Sequence, residues 1–158
     1  MKTWIKVLIV TLVFAIPAFL VAPNAPLGVF WDPHPDITVP DITVPMGIQG
    51  SLFTLLSAIN ALVLGLGIAF LLFGYPLVMA IGCASRGLTR AAHLSIGWLL
   101  VSPWLHDSLH MVVGLETGPL LAVEYGIHAT AMIAGLIVAY FFVDALRGRE
   151  AAPATAAC

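Results

Sequence analysis

Four long apolar stretches constrain the fold of this chain more than any other feature. They cover residues 4–21, 52–73, 91–112 and 119–143. A helix needs roughly 20 residues to cross a hydrocarbon core about 30 Å thick, and each stretch is close to that length. Only 9% of the residues are charged and 61% are apolar, whereas a soluble domain has roughly 25% charged residues. The sequence predicts an all-α integral membrane protein whose four transmembrane helices form one domain over residues 1–158.

The second stretch has two alternative inner boundaries. Apolar residues continue past Phe73 as far as Ile81, but Gly74-Tyr75-Pro76 interrupts them. Proline removes a backbone donor and clashes with the preceding turn of a helix. We therefore expect the second helix to end near residue 73 or to continue to residue 81 with a kink.

The basic residues predict the orientation of the helices. They are Lys2, Lys6, Arg86, Arg90, Arg147 and Arg149. With four spans all of them fall on one side of the membrane, and Lys and Arg are enriched in cytoplasmic segments. This pattern predicts an antiparallel bundle in the plasma or inner membrane, with both termini cytoplasmic. Residues 147–158 would then form a flexible cytoplasmic tail.

The first stretch also has features of a secretory signal peptide, because two lysines precede a short apolar run. Cleavage after Ala18 would place Ile16 where a small residue is required, and Ala22 is followed by Pro23. Neither position suits a signal peptidase. We therefore expect an uncleaved membrane anchor.

Residues 23–49 form the longest predicted extracytoplasmic segment, between the first and second helices. The near-tandem repeat from Pro35 to Pro45 places prolines at short intervals. Each proline restricts its own backbone and that of the preceding residue, which favours an extended ribbon over a helix. We expect a stiff connector over the bundle or, alternatively, a docking ribbon for another subunit.

Small residues recur at helical spacing in the second and fourth stretches. These residues are Ser57, Ala61, Gly65 and Ala69, and then Ala131, Gly135 and Ala139. Small side chains allow helix backbones to approach closely in lipid. Both stripes are thus predicted to hold the bundle together, and Asn60 is predicted to find a polar partner across an interface.

Two polar clusters lie in stretches that otherwise read as membrane helices. They are His106-Asp107-x-x-His110 and Glu124-x-x-x-His128. Residues four apart share a helix face, and a short link near Leu115 places His106 and Glu124 at the same depth. Ionisable residues at membrane depth are costly and usually have a function or a partner. We expect the two clusters to face each other in the outer half of the membrane.

Such a set of side chains has the donor types of a transition-metal site. The candidate ligands are His106, Asp107, His110, Glu124 and His128. Imidazoles suit copper, zinc and iron, and bundle proteins build metal sites from facing helices in this way. Copper is the preferred ion, because Met111 and Met132 add soft thioethers nearby.

Haem b is an alternative cofactor. A bis-His haem needs one histidine from each of two helices, here His106 or His110 together with His128. Three small residues, Gly97, Gly126 and Ala129, offer space for the macrocycle.

Three functions therefore stay open. The first is a small metal-binding or haem-binding subunit of a larger redox or oxygenase-type membrane complex, associated with other membrane subunits or with its own copies. The second is a cofactor-free transport or proton-path protein, and the third is a structural or assembly subunit with a polar packing network. No basic tract indicates a nucleic-acid partner. The sequence identifies no catalytic residue.

Overall fold

The computed structural model describes residues 2–21, 46–82, 85–113 and 116–151. These residues form five helices: α1 (Thr3–Leu20), α2 (Met46–Phe73), α3 (Tyr75–Ile81), α4 (Arg86–Val113) and α5 (Thr117–Ala151). Within the described ranges there is no strand, which confirms the all-α prediction. The Pro35 to Pro45 repeat and residues 152–158 lie outside the described residues, whereas residues 147–151, the first part of the predicted flexible tail, continue helix α5.

Three helices are long and apolar enough to cross a membrane, as expected of a membrane protein. They are α1, residues 54–73 of α2, and residues 117–148 of α5. Helix α4 has 28 residues but is not among the three. Its histidines, its arginines and Asp107 lower its mean hydropathy. The fourth membrane-spanning helix therefore stays a prediction.

The second apolar stretch is divided at Gly74. Helix α2 ends at Phe73, and the Gly74 N–H donates a hydrogen bond to the Phe70 carbonyl at 2.7 Å. A Cβ atom at position 74 would lie 2.6 Å from that carbonyl oxygen, so the turn requires glycine. Pro76 in the first turn of α3 fits the preference of proline for helix starts. The stretch thus forms two helices.

The long helices pack in a row in which α1 contacts α2, α2 contacts α4, and α4 contacts α5. One core cluster joins α1 to α2 through Ala18, Ala61 and Leu64. A second joins α3, α4 and α5 through Val78, Ala92 and Phe141. This row places the faces of α4 and α5 that carry the polar clusters side by side.

The two stripes of small residues behave differently. On α2, Ala61 and Ala69 are fully buried, and a Cβ atom on Gly65 would lie 2.2 Å from the Thr11 carbonyl oxygen of α1. On α5, a Cβ atom on Gly135 would meet no described atom within 4 Å, and Ala139 is exposed. Only the α2 stripe packs helices together within the described part of this chain.

Candidate metal centre

The polar residues of α4 and α5 meet where the two helices are closest in sequence. Only residues 114–116 separate the helices, so positions at equal distances from this link lie at similar depth. His106 and His110 are one turn apart on α4, and their Nε2 atoms are 3.0 Å apart. The predicted juxtaposition of the two clusters is therefore present in the structure.

The Glu124 carboxylate lies at the centre of the cluster. Its Oε1 atom is 2.9 Å from His110 Nε2. Its Oε2 atom is 3.0 Å from His128 Nδ1 and 3.7 Å from His106 Nε2. One carboxylate on α5 thus faces three imidazoles, two of them on the neighbouring helix.

The His128 ring has one nitrogen directed at its own helix. Its Nδ1 atom is 2.8 Å from the Glu124 backbone carbonyl. A carbonyl oxygen only accepts, so Nδ1 carries a proton in this arrangement and Nε2 keeps its lone pair. The neutral ring can then offer Nε2 to a metal ion.

Two close contacts in the cluster compete for the same nitrogen atom, His110 Nε2. A contact of 3.0 Å between two Nε2 atoms requires one nitrogen to donate and the other to accept. His110 Nε2 carries at most one proton, and both His106 Nε2 and a Glu124 carboxylate oxygen lie within its hydrogen-bonding reach. A cation at the centre would accept one lone pair from each of these groups in place of the competing contacts.

Asp107 lies behind His106, away from the centre of the cluster. Its Oδ1 atom is 3.5 Å from His106 Nδ1, and its Oδ2 atom accepts a hydrogen bond from Asn60 Nδ2 on α2. This contact gives Asn60 the polar partner that the sequence predicts. A carboxylate on the remote nitrogen of a metal-ligating histidine orients the ring and raises its basicity. Asp107 is therefore positioned to orient His106.

The cluster is open on its α5 side. The His106 and His110 side chains are 23% and 30% exposed, whereas that of His128 is 62% exposed. Ligand atoms of His106, Glu124 and His128 can all lie within 4.8 Å of one another. A small ion can therefore reach this group from the outer surface of the helix pair.

The space for a haem macrocycle is restricted. The His106 and His128 ring centroids are 5.1 Å apart in an edge-on arrangement, and a bis-His haem must lie between its two ligands. The space beside Gly97 is filled by the Leu71 side chain of α2, whereas Gly126 has open space around it. A haem would thus require α4 and α5 to separate.

The sequence predicted a polar partner for Asn60 but did not identify it, and only the fold shows that this partner is Asp107. The sequence also suggested Met111 and Met132 as soft thioethers near the site. Met132 is 69% exposed on α5, and the side chain of Met111 lies outside the described residues.

No protein-family model, no curated protein and no solved structure matches this chain. We therefore base the functional assignment on the geometry of the cluster.

Proposed function

We propose that this chain is a membrane protein that binds a transition-metal ion between α4 and α5. The ligands are His106, His110, Glu124 and His128, and the convergence of their donor atoms carries the proposal. The closest donor pairs are 2.9 and 3.0 Å apart. Two ligand atoms that each lie about 2.1 Å from one metal, at right angles, are themselves about 3 Å apart. His106, His110 and Glu124 thus need little rearrangement to accept an ion, and His128 would coordinate it through Nε2, because its Nδ1 donates to the Glu124 backbone carbonyl.

Copper is the ion that this donor set favours. Three imidazoles and one carboxylate suit copper, zinc or iron, and affinity for a given nitrogen site is highest for Cu(II) among the divalent ions. Magnesium and calcium prefer sites made of oxygen ligands. We rank zinc and iron after copper, and haem b after these, because the two imidazoles are in contact with each other.

We further propose that α4 is the fourth membrane helix of an antiparallel bundle with both termini in the cytoplasm. Its 28 residues extend over about 42 Å at 1.5 Å per residue, enough to cross a bilayer. The cluster then lies in the outer half of the membrane. Its exposed α5 side suits a subunit of a larger redox or oxygenase-type complex, completed by other membrane subunits or by further copies of the chain.

The decisive experiment is metal quantification on the detergent-purified chain after copper reconstitution and removal of loosely bound ions. We expect about one copper per chain and an electron paramagnetic resonance spectrum with nitrogen coupling from imidazole. A Soret band in the purified protein would indicate that the cofactor is haem and not copper. The metal proposal is wrong if the folded chain retains neither a stoichiometric metal ion nor haem.

The orienting role of Asp107 predicts a partial loss of copper affinity when this carboxylate is removed. The Asp107→Asn variant should bind copper about tenfold more weakly, because loss of the charged acceptor behind a ligating histidine typically costs 10-fold to 100-fold in affinity. Affinity would be measured by competition with a copper chelator. An unchanged affinity would show that His106 does not depend on this carboxylate.

A proton path is a second candidate, because the same residues form a continuous series of polar contacts. Steps of 2.9 to 3.5 Å lead from Asp107 through His106 and His110 to Glu124. Such a series passes protons if water extends it to both membrane surfaces. Proton flux in liposomes with metal-free protein tests this function, and flux that is abolished by Glu124→Gln would support it.

A further inference from the structure

Asn60 connects the metal cluster to a third helix. Its side-chain amide nitrogen donates a hydrogen bond to Asp107 Oδ2, which joins α2 to α4. The other oxygen of this carboxylate, Oδ1, is 3.5 Å from His106 Nδ1. Asp107 therefore divides its two oxygens between an amide on α2 and an imidazole of the cluster.

The Asp107 carboxylate needs such a contact to stay directed at His106. Neighbouring residues of an α-helix point about 100° apart, so the two side chains do not share a helix face. The Asp107 side chain is also 58% exposed, and an exposed side chain can change between staggered rotamers. A hydrogen bond to Oδ2 selects the rotamer in which Oδ1 faces His106. Loss of this bond releases the carboxylate.

The segment of α2 that carries Asn60 is held in place by its neighbours. Ala61, the next residue, is fully buried and packs with Ala18 of α1. Trp104 of α4 packs against the same core cluster, about one turn before Asp107. Helices α1, α2 and α4 therefore meet beside the contact between Asn60 and Asp107, and the amide is presented from a well-packed helix.

These contacts also determine which nitrogen of His106 carries a proton. A carboxylate only accepts hydrogen bonds, so His106 Nδ1 is protonated where it faces Asp107, and Nε2 keeps its lone pair. Nε2 is the nitrogen that faces His110 and Glu124 at the centre of the cluster. Through Asp107, the Asn60 amide thus favours the tautomer in which His106 can ligate a metal ion.

We infer that Asn60 is a positioning residue of the metal site. It acts on His106 through Asp107 and is not itself a ligand. Helix α2 then contributes to a site whose ligands lie on α4 and α5. The effect on metal binding rests on the proposed function, whereas the tautomer of His106 is a property of the metal-free chain.

Nitrogen NMR of the metal-free chain in detergent, with isotopically labelled histidine, tests the inference without a metal. The His106 signals are identified by their absence in His106→Gln, at a pH at which imidazole is neutral. In the unmodified chain we expect Nδ1 to be protonated and Nε2 to be unprotonated. Asn60→Leu should show a mixture of both tautomers, because leucine is close to asparagine in size but has no donor.

Two results would overturn the inference. One is any other protonation of His106 in the unmodified chain, and the other is the same tautomer in the unmodified chain and in Asn60→Leu. If Asn60→Leu does not fold, Asn60→Ala removes the same donor with a smaller side chain. Ser57→Ala, about one turn earlier on α2, is the control and should leave the tautomer unchanged.

Copper affinity shows whether the effect reaches the metal. Asn60→Leu should bind copper about fivefold more weakly, as expected for the loss of one hydrogen bond. In the Asp107→Asn background the same substitution should have no further effect, because Asn60 acts through Asp107. Equal losses in both backgrounds would indicate a general effect on the fold and contradict the inference. A folded chain that retains no metal would refute the proposed function, and the NMR result would still decide whether Asn60 positions His106.

Discussion

Replacement of Gly65 by alanine is expected to destabilise the fold by about 2 to 3 kcal/mol, the upper part of the range of roughly 1 to 3 kcal/mol for overpacking a closely packed site. The added Cβ atom would lie 2.2 Å from the Thr11 carbonyl oxygen and 3.2 Å from the Ala15 backbone nitrogen. Both contacts involve backbone atoms, which cannot rotate away as a side chain can. Helix α1 would therefore have to move as a unit, with loss of contacts along α2.

Gly135→Ala is the matched control on α5. A Cβ atom at this position meets no described atom within 4 Å, and alanine favours a helix over glycine by about 1 kcal/mol. We expect this variant to be as stable as the unmodified chain or more stable. Thermal unfolding in detergent, followed by circular dichroism, measures both variants. Equal destabilisation by the two substitutions would contradict the packing of α1 on α2 at Gly65.

Replacement of Glu124 by glutamine is expected to weaken copper binding by at least about 100-fold, the upper end of the range for outer-shell groups of metal sites. Glu124 is the residue that faces all three imidazoles of the cluster. Glutamine keeps the shape of the side chain but removes the negative charge that offsets the charge of the metal. Its amide nitrogen also cannot coordinate a metal ion as the second carboxylate oxygen of glutamate can.

Glu116→Gln is the control for this loss of charge. Glu116 immediately precedes α5, is exposed, and lies about two helical turns before Glu124. The variant has the same change in net charge but should bind copper as tightly as the unmodified chain. Chelator competition on both proteins measures the two affinities. A similar loss in both variants would attribute the effect to overall charge and count against the metal site.

The sequence predicted much of the candidate site because short-range geometry determines it. Residues four apart share a helix face, and a short link between α4 and α5 sets the relative depth of His106 and Glu124. Apolar length predicted all four long helices in a similar way, and three of them are long and apolar enough to cross a membrane. The start of α2 at Met46 was not predicted, since the apolar stretch begins only at Leu52.

Lateral packing was much harder to predict. Gly65 and Gly135 lie in similar stripes of small residues, yet only Gly65 contacts a neighbouring helix among the described residues. In lipid both the inner and the outer surfaces of a helix are apolar, so the residue pattern does not distinguish a packed face from an exposed one. The contact between Asp107 and Asn60 depends on the same lateral arrangement.

The two halves of the cluster are attached to the fold in different ways. Helix α4 is hydrogen-bonded to α2 at two levels, through His93 and through Asp107. The most deeply buried side chain of α5 is Phe141, about 20 Å from His128 at 1.5 Å per residue. A tilt of α5 by about 3° around Phe141 would move His128 by about 1 Å, twice the tolerance of roughly 0.5 Å for a well-formed site. Since membrane helices tilt in response to hydrophobic mismatch, we expect the thickness of the surrounding bilayer to change the distance between the two sets of proposed ligands, provided that α4 and α5 both cross the membrane as proposed.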